Sequence, residues 1–237
     1  MTRHTNDFRF KQFNLIQQVN AMKFGTDSAI LGAIATAKNP ERILDIGTGT
    51  GVLALMLAQR YPTAKITGVE LDEPSSKEAK INFDNSTWSG QFVLINNPIQ
   101  NVSKGDFDLI ISNPPFFANS CKNEDKDKAR VRHTDELSLD DLLEGISRQL
   151  SNTGLAYIIY PSLITTALHQ KLHRIDVYLV QEIEIYSSPL SIMPVRTIFA
   201  MSKTPSECKC SKFCIYDSQN TYSKEFTNLL KPYYLHL

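Results

Sequence analysis

The chain has 237 residues, 42% of them hydrophobic, and its 25 basic and 25 acidic side chains cancel to a formal net charge of zero. That is enough for one sizeable α/β core and short for two full domains, and the charge balance alone argues against a general nucleic-acid binder. No run of about 18 uncharged apolar residues occurs, and Met1-Thr2-Arg3-His4 leads into mixed polar sequence, so neither a membrane span nor a signal peptide is expected, and a cytoplasmic location is.

The first strand is predicted at Arg42–Ile46, a short, mostly apolar run that ends at a glycine-rich loop, Gly47-Thr-Gly49-Thr-Gly51. A helix follows from Gly51 to Ala58 and closes before Tyr61-Pro62. Ala64–Glu70 is a second strand, and Pro74–Phe83 a helix opened by proline in its first turn. Gln91–Ile95 and Phe107–Ser112 are the third and fourth strands. Asn113-Pro114-Pro115-Phe116 then stops the chain from continuing as strand or helix.

A polar segment, Ala118–Glu136, lacks any hydrophobic period. Leu137–Leu150 makes a helix ended by Asn152-Thr153-Gly154; Leu155–Tyr160 is a fifth strand and Pro161–His173 a helix. Val177–Tyr186 and Arg196–Ser202 form a closing antiparallel pair, and Thr221–Leu237 has apolar residues at helical spacing. Cys208, Cys210 and Cys214 crowd together without a second cysteine pair, so a reduced, partly buried strand is expected and no metal site. Strand and helix alternate, which predicts a mostly parallel sheet with helices on both faces and ligands beyond the carboxyl ends of the strands.

The charge is unevenly spread. Residues 1–42 carry six basic against three acidic side chains, residues 43–121 five against eight, and Lys126–His133 four against one. Basic flanks around an acidic core can present phosphates to a pocket, although solvated faces explain them equally well.

Three motifs fall at predicted strand ends. Gly47, Gly49 and Gly51 make a tight turn that lets a ligand approach the backbone. Dinucleotide enzymes use similar loops, but Asp45 before the first glycine repels a pyrophosphate, whereas it accepts bonds from an ammonium group or ordered water. No Lys-Ser/Thr follows Gly51, which removes the P-loop reading. Glu70, about 20 residues on, stands where a carboxylate holds both hydroxyls of a ribose. A cationic sulfonium donor, S-adenosylmethionine, suits this acidic entry. At the fourth strand, the Asn113 amide oxygen and the Pro114 carbonyl can each accept a hydrogen from a planar amine, Pro115 stiffens the turn, and Phe116 offers a stacking face. The motifs together point to methyl transfer onto such an amine.

Asp-Ile-Gly-Thr-Gly-Thr-Gly, Val-Glu-Leu-Asp and Asn-Pro-Pro-Phe resemble the class I S-adenosylmethionine-dependent methyltransferases that modify amino groups. Phe10-Lys-Gln-Phe13, Met22-Lys-Phe-Gly-Thr-Asp27 and Tyr222-Ser-Lys-Glu-Phe through Tyr234 are similar to the bacterial tRNA1(Val) adenine N6-methyltransferases, and the resemblance runs nearly end to end. It implies a class I Rossmann-like fold with a seven-stranded, mostly parallel sheet and one antiparallel strand. The single domain, residues 1–237, would comprise an N-terminal extension covering cofactor and substrate (1–40), a catalytic core (41–203) and a C-terminal extension (204–237). It also implies methylation of adenine N6 in a tRNA, beside the anticodon, with no obligate protein partner. Thr26 and Asp27 would close over the cofactor, although Gly25-Thr26-Asp27 is equally an ordinary helix cap. Relatives commonly place an Asp for the cofactor adenine where this chain has Pro98, which leaves Asn97 or a backbone carbonyl to substitute. Lys126, Lys128, Arg130, Arg132 and His133 are the expected RNA contacts; His133 as general base is the less favoured reading. Ribosomal RNA, protein glutamine and DNA adenine methyltransferases share Asn-Pro-Pro-aromatic and remain alternatives, as does a non-catalytic RNA-binding subunit of the same fold.

Overall fold

The computed structural model describes residues 7–18, 23–115 and 137–236. A two-stranded ribbon, β1 (Phe8–Arg9) and β2 (Asn14–Leu15), precedes helix α1 (Thr26–Ile34), then β3 (Arg42–Ile46), α2 (Val52–Arg60), β4 (Lys65–Val69), α3 (Glu73–Asp84), β5 (Phe92–Ile95) and β6 (Phe107–Ser112). After the second break come α4 (Leu139–Gln149), β7 (Leu150–Pro161), α5 (Thr165–Leu172), β8 (Tyr178–Tyr186), β9 (Arg196–Ser202), β10 (Lys209–Cys214) and α6 (Lys224–Leu230).

Strands β3 to β10 make one sheet in the order β10-β8-β9-β7-β6-β3-β4-β5. Strand β9 runs antiparallel to β7 and β8, and the remaining pairs are parallel. The sheet therefore has eight strands, not the expected seven. The extra one, β10, comes from the C-terminal extension and pairs with the outer edge of β8, from Lys209↔Gln181 to Cys214↔Tyr186. An open strand edge offers a row of unpaired backbone groups, and β10 covers it while burying Phe213 near Phe226 of α6. The cysteine cluster lies on this edge strand, with Cys210 exposed and Cys208 and Cys214 half-buried. Burial pushes the Cys208 thiol up to about 11.

Alternation along the strands builds two cores. Ile43, Leu109, Ile111, Tyr157 and Ile198 face α1, α2 and α6, whereas Leu44, Ile110, Ile158 and Phe199 face α4 and α5. Helix α4 stops at Gln149, next to the expected Leu150, and the chain passes straight into β7, which begins at Leu150 and not at the expected Leu155. Leu150 is buried and pairs with Phe107, and the Gln149 side chain binds Gly105 N, Val102 O and Ser103 O, so tertiary contacts draw the expected stop, Asn152-Thr153-Gly154, into the strand. Gly154 serves close packing, since a Cβ there would meet the Phe107 carbonyl at 2.6 Å.

The terminal segments meet. Lys11 N donates to Tyr233 O at 2.8 Å, Phe10 bridges Tyr234, and Phe10 stacks on Phe13 with ring centroids 4.2 Å apart. Among the described residues no helix is long and apolar enough to cross a membrane. The carboxyl ends of β3, β4 and β6 share one rim, and the glycine loop, Glu70 and Asn113 stand on it.

Candidate active site

The glycine loop is braced from below by Asp45, a fully buried residue of β3. Its Oδ2 accepts from Thr48 Oγ1 at 2.6 Å and from Ala54 N, in the first turn of α2, at 3.2 Å. Its Oδ1 is buried and has no hydrogen-bond partner among the described residues. Burial, with the Glu70 charge adding to it, pushes the Asp45 carboxyl up to about 7 against the pull of those two hydrogen bonds. The acidic entry read from the sequence is therefore a buried carboxyl that titrates close to neutrality.

Above it, Gly47 N and Thr48 N both donate to Val69 O, at 2.8 and 3.0 Å. Gly47, Gly49 and Gly51 all have positive φ, but their lack of side chains serves different ends. At Gly51 (φ +86°), the residue capping α2, a Cβ would lie 2.5 Å from the Phe83 ring of α3. At Gly47 a Cβ would meet nothing within 4 Å, so this is the open face of the loop.

Glu70, half-buried after β4, accepts Gly49 N on Oε2 at 2.7 Å and Asp72 N on Oε1 at 2.9 Å. These bonds fix the carboxylate, and each oxygen keeps acceptor capacity for a hydroxyl. Asp72, which reads in the sequence as plain surface, is exposed but caps α3 by accepting from Ser75 N and Ser75 Oγ. Asn96 donates to Glu70 O and Leu71 O and so ties the exit of β5 to that of β4, while Asn97 stands exposed beside it.

Asn113 follows β6 and is half-buried; Pro114 is buried and Pro115 half-buried. The Asn113 Nδ2 donates to Ser28 Oγ of α1 at 2.8 Å, and its Oδ1 is buried with no partner among the described residues. Ser112 Oγ donates to Ile46 O at 2.7 Å, which locks the end of β6 to the residue that opens the glycine loop. Thr26 is exposed, and Asp27 accepts from Arg196 Nε at 2.7 Å. Gly-Thr-Asp does open α1, with Gly25 at the cap position and Asp27 in the first turn, but no side chain caps the helix.

The structure thus brings Asp45, the three glycines, Glu70, Asn113 and Pro114 to one rim. Phe116, Lys126, Lys128, Arg130, Arg132 and His133 lie outside the described residues. Sequence reasoning missed Ser28 and Asn82. Asn82, 1% exposed in α3, donates from Nδ2 to Ile16 O and to Thr50 O of the loop, and accepts Ile16 N on Oδ1. A lone Asn in a helix and a lone Ser in an apolar stretch carry no pattern that marks them.

With this geometry in place, the comparisons with known proteins are specific. Residues 20–137 match the family model of the methyltransferase small domain. A Trichodesmium erythraeum protein named tRNA1(Val) (adenine(37)-N6)-methyltransferase is 40% identical over 235 residues, covering 97% of this chain and 98% of that one. Proteins of the same name from Tolumonas auensis and Bacteroides thetaiotaomicron are 36% and 34% identical, with 98% and 97% of this chain covered and 98% of each relative. The chain belongs to this methyltransferase family. Solved structures agree on the fold. A predicted O-methyltransferase from Agrobacterium tumefaciens superposes with a TM-score of 0.68 at 15% identity, over 87% of this chain and 96% of that one. A ribosomal protein L11 methylase from Lactobacillus delbrueckii gives 0.52 at 20% identity, over 75% and 78%. The sheet is that of the class I methyltransferases, extended by β10.

Proposed function

We propose that this protein transfers a methyl group from S-adenosylmethionine to the exocyclic N6 of adenine in tRNA, at the base 3′ to the anticodon; its near full-length relatives are named tRNA1(Val) (adenine(37)-N6)-methyltransferases. The observation that carries the chemistry is the buried Asn113 Oδ1, without a partner among the described residues and at the same rim as the glycine loop. A tRNA substrate places the enzyme in the cytoplasm.

The residues present fit the cofactor. Glu70 holds acceptor capacity for a diol, Gly47 leaves the loop open, and Asp45 Oδ1 is an acceptor for an ammonium or for water. Thr26, Asp27 and Asn97 are assigned as further contacts from the sequence. When bound, S-adenosylmethionine supplies an electrophilic methyl group.

An adenine amino nitrogen delocalises its lone pair into the ring and is a poor nucleophile. Deprotonation is not feasible near neutral pH, so the site needs acceptors instead of a strong base. Asn113 Oδ1 and the Pro114 carbonyl each accept a hydrogen bond from one amino hydrogen. As the nitrogen becomes tetrahedral those bonds strengthen and its lone pair turns out of the ring, so the site binds the transition state better than the substrate, and the methylated nitrogen then loses one proton to solvent. The proline pair contributes no competing backbone donor. Phe116 is assigned to stacking on the extruded base, worth about 1–3 kcal/mol. Lys126, Lys128, Arg130, Arg132 and His133 are assigned to the RNA backbone.

The test is transfer of tritiated methyl from S-adenosylmethionine into separated tRNA, ribosomal RNA, DNA and protein, followed by nucleoside mass spectrometry of the labelled RNA. N6-methyladenosine in tRNA at the base after the anticodon is expected. Label confined to protein or ribosomal RNA would overturn the substrate, and a different nucleoside in tRNA would overturn the position.

A further inference from the structure

We infer that Ser28 is a positioning residue that tethers the Asn113 amide at the rim where the acceptor amine binds. The inference rests on the reading of Asn113 given above. A side-chain amide turns about its last bond unless one end is tethered, and here the tethered end is Nδ2, which leaves Oδ1 facing the rim. The tether matters for this chemistry, because an amide free to turn would also point its donor at an amine that is itself a donor.

Asn113 belongs to the turn after β6, and the described residues of its own segment give its side chain no hydrogen bond. The contact that orients it comes from α1, 85 residues earlier in the chain, where Ser28 Oγ accepts Asn113 Nδ2 at 2.8 Å. Ser28 is only 9% exposed, so bulk water does not substitute for it. With Nδ2 engaged there, Oδ1 is the atom left with no partner among the described residues. Beside it, Asp27 binds Arg196 at the start of β9, which pins the first turn of α1 against the sheet. The segment implied by resemblance to cover the cofactor therefore has a second task, holding the amide in its productive orientation.

The test compares Ser28→Ala, Ser28→Thr and Ser28→Cys, alone and in an Asn113→Ala background. Readouts are single-turnover methyl transfer, KM for tRNA, cofactor affinity by calorimetry, and melting temperature. Ser28→Ala and Ser28→Cys should lower turnover about ten-fold with KM and cofactor affinity within about two-fold, while Ser28→Thr, which keeps the hydroxyl, stays within about two-fold of wild type. In the Asn113→Ala background the Ser28 variants should change turnover less than about two-fold, because their effect runs through the amide. In the cofactor-free protein, an Asn113 side-chain amide hydrogen should be protected from exchange and lose that protection in Ser28→Ala. Near wild-type turnover in Ser28→Ala, failure of Ser28→Thr to restore a folded variant, or an undiminished loss in the Asn113→Ala background would overturn the inference. Wild-type turnover in Asn113→Ala itself would overturn the reading on which it stands.

Discussion

Around the glycine loop the chain bonds its own polar groups: Thr48 to Asp45, Gly49 to Glu70, and Asn82 to Thr50. At the end of β6, less of this is done. Asn113 gives one side-chain hydrogen bond to a distant helix and keeps its oxygen without a partner among the described residues. Both regions stand on one rim of one sheet, so location does not explain the difference, whereas the proposed tasks do. A loop that must hold one shape for a ligand gains from having its groups bonded in advance. An oxygen that strengthens its bonding as the reaction proceeds must be held in place by its other end. Asp45 Oδ1 is the exception on the loop side, and its raised pKa records the cost of leaving a carboxylate oxygen buried and unpartnered.

The comparison can be broken most sharply at Asn113. Asn113→Ala should lower single-turnover methyl transfer by ~10²-fold or more with cofactor affinity largely intact. A parallel loss of cofactor binding would show that the two regions are one unit. Gly51→Ala adds a Cβ 2.5 Å from Phe83 at φ +86° and should cost roughly 2–4 kcal/mol in denaturant unfolding, with cofactor affinity falling alongside. An unchanged midpoint would mean that the loop relaxes freely.

Asn82→Ala removes hydrogen bonds to both Ile16 and Thr50 and should cost about 1–3 kcal/mol, read by the same method. If stability falls while cofactor affinity does not, the loop holds its shape without help from α3. Per pH unit, the smallest effect is a stability slope. Asp45 has a folded pKa near 7 and an ordinary value of 3.8, so the folded state binds the extra proton between them. The contribution is full below about 4 and is lost as pH rises through about 7, at ~1 kcal/mol per pH unit. Asp45→Asn should flatten that part of the stability profile, and an unaltered slope would refute the buried titration.

Much of this was readable along the chain. The glycine loop, Glu70 and Asn113 announce themselves because strand ends and tight turns demand particular residues within a few positions. Alternating strands and helices likewise give the sheet its mostly parallel order. The strand count was less readable, since β10 is an edge strand with a weak pattern, Lys-Cys-Ser-Lys-Phe-Cys, and only the open side of β8 gives it a partner. Strand β7 began early for a similar reason, because Gln149 and Leu150 answer to Gly105 and Phe107 and not to the glycine that follows them.

Local chemistry therefore marked where the glycine loop, Glu70 and the Asn-Pro-Pro turn would lie. Folding alone decided what holds them. Asn82 reaches Thr50 across 32 positions, Ser28 reaches Asn113 across 85, and Arg196 reaches Asp27 across 169. Each is a single polar side chain with no periodicity or spacing to mark it. Its role exists only once packing has excluded water and brought a distant partner within reach.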